Sequence, residues 1–329
     1  MSGNSPNHYG RAQLYQKFSF ATIVVVFLLI AIGGIVRSSG AGMGCPDWPK
    51  CFDQWVPPTD VSELPMNYQQ IYKDRGYADT TFNAVKTWIE YFNRLFGVLT
   101  GFFIVLHLVF AYRAFKTANP IVWRLALACL VLVLIQGGVG AFVVMTNLHQ
   151  GIITIHLVLA LAIGALLLAA RAFSQPQYLT VDGPVLKGFE RLVIGVGILL
   201  FVQIVLGAQV REAIDAAAKA MPMAGKQEWL RALGSGFALH KVFSMVTTAA
   251  VVYLTYRVNA VFPTQKLNKY GIFALLLTGA QVFTGVALNQ FALPAVPQAL
   301  HIVFSSAAFG VLFWLWMEFY RHQRPVARR

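Results

Sequence analysis

Apolar residues gather in eight runs, at roughly 18–37, 88–112, 122–146, 152–171, 190–210, 237–257, 270–290 and 299–320, divided by polar or turn-rich segments. Each run is continuous rather than alternating, and each reaches the length of about 20 residues that a helix needs to cross a bilayer. A transmembrane β-barrel would alternate over about ten residues per strand, and no segment here does so. The pattern predicts an all-α integral membrane protein with eight transmembrane helices. The first run reads as a membrane helix rather than a cleavable leader. It lacks a small-residue cleavage site ahead of a soluble domain, and Gly33, Gly34 and Arg37 follow it directly.

Polar positions inside the runs repeat. Gln136, Gly140 and His156 recur at the same spacing as Gln281, Gly285 and His301. Gly33 with Arg37, closing the first run, matches Gly207 with Arg211, closing the fifth; Asn93-Arg94 in the second matches His240-Lys241 in the sixth. The chain therefore reads as two pseudo-symmetric four-helix bundles. The first occupies residues 1–171 with a long outer loop at 38–87, and the second occupies 190–329 with an outer loop at 212–236. A cytoplasmic connector, 172–189, joins them. Outer loops of this length on a short-looped bundle point to function; the second begins Glu212-Ala213-Ile214-Asp215 and then reads as a short amphipathic helix.

Composition supports the membrane reading: 57% of residues are hydrophobic and 12% charged, with a mean hydropathy of +0.61. The net charge of +13 would suit nucleic acid, but its placement is an orientation signal. Arg11 and Lys17 precede the first helix, and Arg113, Lys116, Arg124, Arg171, Lys187, Arg191, Arg257, Lys266 and Lys269 flank alternate connections. Arg321, Arg324, Arg328 and Arg329 form the tail; on this side the acids are few, Asp182, Glu190 and Glu318 among them. The opposite short loops, around 147–150 and 289–298, carry no charge. The positive-inside rule then puts both termini in the cytoplasm of a bacterial-type inner or plasma membrane. Membrane lipids are the expected contact of the basic excess, and nucleic acid is not expected as a partner.

Histidines within membrane runs are costly and mark functional sites. His156 and His301 lie inside their runs and His240 near the start of one. The bland alternative is a histidine that only hydrogen-bonds a neighbouring helix, but the repeat places Asn93 and His156 at nearly the separation of His240 and His301. Zinc would want four tetrahedral ligands, usually with thiolate or carboxylate help. A heme supplies four equatorial nitrogens and asks the protein for the axial positions only, which two histidines fill. Glu90 and Asn93 are three apart and share a helix face; a solvated helix-end glutamate is the plain alternative for Glu90. Arg94 and Lys241 suit heme propionates or lipid phosphates equally. Cys45 and Cys51, on the oxidising side, suit a small structural disulfide or a redox-active pair. Cys129 reads as a packed apolar thiol. His107 reads as a satisfied polar group of the bundle and His149 as a residue of the short outer loop, while His8 and His322 lie in the tails.

The stretch Gly33-Gly34-Ile35-Val36-Arg37-Ser38-Ser39-Gly40-Ala41-Gly42-Met43-Gly44-Cys45-Pro46-Asp47-Trp48-Pro49 resembles the signature after the first helix of the heme A synthase family. Glu90 to Arg94 resembles that family's glutamate-to-histidine-arginine motif, with Asn93 where the family has histidine. Leu206 to Asp215 resembles its helix-five exit, and His156, His240 and His301 fall where it has histidines in helices four, six and eight. The resemblance runs from about residue 15 to 320. It implies a membrane oxidoreductase that converts heme O to heme A by oxidising the C8 methyl group to formyl through successive hydroxylations. It also implies a permanent heme B between His240 and His301, substrate heme on His156 with Asn93 and Arg94 nearby, Glu90 near the reacting edge, and a Cys45–Cys51 disulfide. The implied partners are the upstream enzyme that supplies heme O, an electron acceptor, and the assembly of cytochrome oxidase; a homo-oligomer is compatible with all of this. Two other functions fit the residues: an electron-carrying membrane cytochrome, or a heme assembly or transfer protein without catalysis. Glu90 favours the enzyme, because an electron carrier has no need of a carboxylate one turn from an axial position.

Overall fold

A computed structural model describes residues 6–78, 80–176 and 183–323. The ends of the basic tail and part of the connector, including Asp182, Arg324, Arg328 and Arg329, lie outside the described residues. The described residues form ten α-helices: α1 (Pro6–Ser38), α2 (Tyr68–Ile71), α3 (Ala84–Phe115), α4 (Pro120–Met145), α5 (Gln150–Phe173), α6 (Gly183–Ala220), α7 (Lys226–Ala232), α8 (Gly234–Val261), α9 (Lys266–Gln290) and α10 (Ala295–His322). All but α2 and α7 are long and apolar enough to cross a membrane, eight in total. The protein is an all-α integral membrane protein.

Local chemistry sets the helix ends. The Asn83 side chain accepts from the Lys86 N–H at 3.0 Å and starts α3, satisfying a donor the helix leaves free. Pro120 opens α4, where its missing N–H costs nothing. One boundary differs from the sequence reading. The segment at 212–236 begins as helix, because α6 runs on to Ala220. Residues 216–220 are almost all alanine, the strongest helix former, and Arg211 pairs with Asp215 one turn on at 3.0 Å. The short helix expected there follows as α7.

Helix α1 packs on α3 and α5, α3 on α4, and α4 on α5, so these four close on themselves. The same cycle links α6, α8, α9 and α10. Between the two cycles, α10 packs on α1 and α5, and α5 touches α6. Small residues allow the close approach, as membrane packing requires: a Cβ built on Gly310 would stand 2.8 Å from the Phe27 ring, and one on Gly164 3.6 Å from it.

The repeat reappears in the backbone. Helices α4 and α9 end at equivalent residues, Met145 and Gln290, and α5 and α10 begin at equivalent residues, Gln150 and Ala295. Each connection turns through two left-handed non-glycine residues, Asn147 and Leu148 (φ 51° and 61°) and Ala292 and Leu293 (φ 53° and 59°). Non-glycine residues seldom adopt this region, so its double occurrence marks one connector geometry used twice.

Candidate functional site

Three histidines are seated in the same way. A Cβ built on Gly140 would stand 3.2 Å from Cε1 of His156, one on Gly207 3.2 Å from Cε1 of His240, and one on Gly285 3.2 Å from Cε1 of His301. Each imidazole thus lays its Nδ1–Cε1 edge on a bare stretch of the facing helix, and a methyl group there would push it away. A glutamine one turn before each glycine completes the arrangement. Gln136 donates to the His156 carbonyl at 2.9 Å, Gln203 donates to the His240 carbonyl at 3.2 Å, and the Gln281 amide nitrogen stands 3.0 Å from His301 Nε2. Gln203 is missing from the sequence reading, although the glutamine-to-glycine spacing of 136–140 and 281–285 recurs at 203–207 and would have revealed it.

The fourth position departs from this pattern. By the repeat, Gly33 should receive the ring of residue 93, but that residue is Asn93 and Leu29 stands where the glutamine would be. Among the described residues no atom lies within 4 Å of a Cβ built on Gly33, and the half-buried Asn93 side chain makes no hydrogen bond to another described residue. This position has the glycine but neither the histidine nor the glutamine of the other three.

Glu90, Arg94 and the cysteines form one assembly with the outer loop. Glu90 is 4% exposed, so it is not a solvated helix-end carboxylate. Its Oε2 accepts from the Cys45 N–H at 2.9 Å, and its Oε1 pairs with the Arg94 guanidinium. Arg94 also donates to the carbonyls of Asp47 at 2.6 Å, Lys50 at 3.0 Å and Cys45 at 3.2 Å. These bonds tie the guanidinium to the loop. Cys45 and Cys51 are disulfide-bonded. The loop lies so close to α3 that a Cβ on Gly44 would meet the Lys86 carbonyl at 2.4 Å. Phe52 anchors the other side, edge-on to Tyr68, Tyr72, Tyr77 and Phe82. This cap is tied to the α4–α5 connection, where Asn147 donates to the Asp74 carbonyl at 2.8 Å. Outside the membrane helices, burial and the nearby carboxylates of Asp47 and Asp53 push the Tyr72 phenol up to about 12.

Lys241 is exposed with its ammonium over the Phe237 ring at 4.5 Å. His149 is exposed just before α5, and Cys129 is fully buried among apolar residues as expected. His107 differs from its reading. It is fully buried against Tyr15, and neither ring nitrogen finds a hydrogen-bond partner among the described residues.

The profile of the cytochrome oxidase assembly protein family, COX15-CtaA, matches residues 16–313. The chain belongs to that family. Relatives within it include proteins named heme A synthase from Geobacillus kaustophilus, 27% identical over 94% of this chain and 92% of that protein, and from Rickettsia akari, 22% identical over 92% and 97%. A third, from Symbiobacterium thermophilum, is 24% identical over 90% and 92%.

The family implies heme, and the donor set fits it. Among the described residues no three His, Cys, Asp or Glu side chains gather into a metal cage, so the histidines suit a cofactor that brings its own equatorial ligands. At His301 the chemistry is explicit. Thr284 Oγ1 stands 3.0 Å from Nδ1, and the Gln281 amide stands at Nε2.

Proposed function

We propose that this chain is a heme A synthase-type oxidoreductase, converting heme O to heme A by oxidising the C8 methyl group to formyl. The observation that carries this is the division of the histidine sites: three seats built alike and a fourth left open at Asn93 and Gly33. In this reading His240 and His301 hold a permanent heme B in the second half, residues 190–329, and His156 alone ligates the substrate heme in the first, residues 1–171. When bound, the heme B supplies one-electron transfer. The substrate's other face looks onto the open position, which suits a molecule that must enter and a product that must leave. Asn93 can hold a water there through its amide.

Glu90 is assigned to the reacting edge, where a carboxylate can orient water or take up a proton. Cys45 and Arg94 fix its two oxygens, so the disulfide loop sets where that charge stands. Heme O comes from an upstream enzyme, the electrons pass to an acceptor, and heme A serves the assembly of cytochrome oxidase. Both termini are assigned to the cytoplasm, which places the Cys45–Cys51 cap on the oxidising side.

The test is to express the chain in a host that makes heme O but has no heme A-forming activity of its own, and to extract the pigments. Heme A or a hydroxylated intermediate is expected. Recovery of only heme B and unmodified heme O would replace the enzyme by an electron carrier or a heme-transfer protein.

A further inference from the structure

We infer that Thr284 is a positioning residue for His301, and that the lack of its counterpart beside His156 adds to the difference in hold between the two heme sites. The inference rests on the ligand assignment proposed above. Thr284 Oγ1 lies 2.9 Å from the carbonyl oxygens of Ala280 and Gln281 and 3.0 Å from Nδ1 of His301. Carbonyl oxygens only accept, so they claim the single hydroxyl proton. The remaining contact is His301 Nδ1–H donating to Oγ1. That tautomer leaves the lone pair on Nε2, the nitrogen a heme iron would take. The Nδ1–Cε1 edge of the ring is seated against Gly285.

Thr284 immediately precedes the glycine seat. The residues in the same place before the other glycines are Val139, Leu206 and Ile32, none of which can accept. The consequence is visible at His156, whose Nδ1 is buried without a hydrogen-bond partner among the described residues. At His240 the neighbour of Nδ1 is the Gln203 amide nitrogen, at 3.2 Å, a donor rather than an acceptor. An acceptor on Nδ1–H makes the ligating nitrogen more basic and fixes the ring; losing such a partner typically costs about 10–100-fold in metal affinity. This hydroxyl therefore adds to the difference that Asn93 already makes between the two uses of a repeated site.

The experiment compares purified full-length wild type, Thr284→Val, Thr284→Ser and His301→Ala. It measures heme B per chain, the midpoint potential of the b-type heme, and its loss rate to an excess of a heme-scavenging apoprotein. Thr284→Val keeps the side-chain shape and removes the acceptor. It should raise the midpoint potential, since a less basic imidazole favours the ferric state less, and speed heme loss by about ten-fold. Thr284→Ser should behave as wild type. Independently, Val139→Thr in a His240→Ala/His301→Ala background should slow heme release from the first half. An unchanged potential and loss rate in Thr284→Val, with the heme still dependent on His301, would overturn the role of Thr284 alone. A b-type heme that survives His301→Ala would overturn the ligand assignment and this inference with it.

Discussion

At the scale of single residues, function turns on small differences between equivalent positions. Asn93 offers an amide where the repeat would place an imidazole, and amides are poor ligands for heme iron. Introducing Asn93→His into a His240→Ala/His301→Ala background should therefore supply a second axial ligand opposite His156. Low-spin character and higher heme retention are expected in the spectrum of the heme-loaded protein; a site already six-coordinate with Asn93 present would show that another residue ligates. Gly285→Ala tests the seat itself, because the added methyl would meet the His301 ring at 3.2 Å. Overpacking of this kind costs about 1–3 kcal/mol, and heme B per chain should fall while helix content stays the same. Glu90→Gln keeps an acceptor for the Cys45 N–H and removes the charge. Heme A formation should drop by about 10²-fold or more with the disulfide intact by mass spectrometry. Wild-type turnover in a folded Glu90→Gln protein would exclude the proposed role.

Among the elements, the outer cap is the one whose stability titrates. The Tyr72 phenol, ordinarily near 10, is raised to about 12 by burial first and by Asp47 and Asp53 second. A raised pKa means the folded cap binds the proton more tightly than the unfolded chain does. Its contribution is therefore complete below pH 10 and is lost as pH rises from 10 towards 12. The protection of segment 52–78, taken relative to the intrinsic base-catalysed exchange rate at each pH, should fall over that window, and Tyr72→Phe should lessen the fall. Protection that stays constant in wild type to pH 12 would show that Tyr72 is not coupled to the cap. The position of this cap was legible only in part. The spacing of Cys45 and Cys51 suggested a small loop, but Glu90 and Arg94 clamping it from α3 joins segments about 45 residues apart, a link that periodicity does not carry.

Across the whole molecule, the two halves meet through residues the repeat makes equivalent. Arg37 of α1 reaches Asp215 of α6 at 2.9 Å, and Arg211, its repeat partner, reaches the same carboxylate at 3.0 Å. Arg211 also donates to Gln298 of α10 at 2.8 Å. Asp215→Asn should leave two neighbouring guanidinium groups without their shared counter-charge. A loss of about 1–2 kcal/mol is expected from bonds of this kind, read as a lower thermal midpoint in detergent with the heme B spectrum intact. An unchanged midpoint would show that helix packing alone joins the halves.

The eight membrane helices, the repeat and the three histidines were written in the sequence, because a span needs a long apolar run and a buried imidazole stands out within one. The sequence also held the missing fourth histidine at Asn93. What only the folded molecule decided is what each of these side chains faces. Glu90 and Arg94 looked like groups near a heme, and the structure shows that both are also tied to the disulfide loop, since a buried carboxylate and guanidinium need bonded partners. His107 looked satisfied and is buried without a hydrogen-bond partner among the described residues. Thr284 drew no attention in the sequence, and in the structure it faces His301. Hydropathy is a property of single residues summed along the chain, so a helix can be read from it. A hydrogen bond between helices depends on rotation and depth, and only packing fixes those.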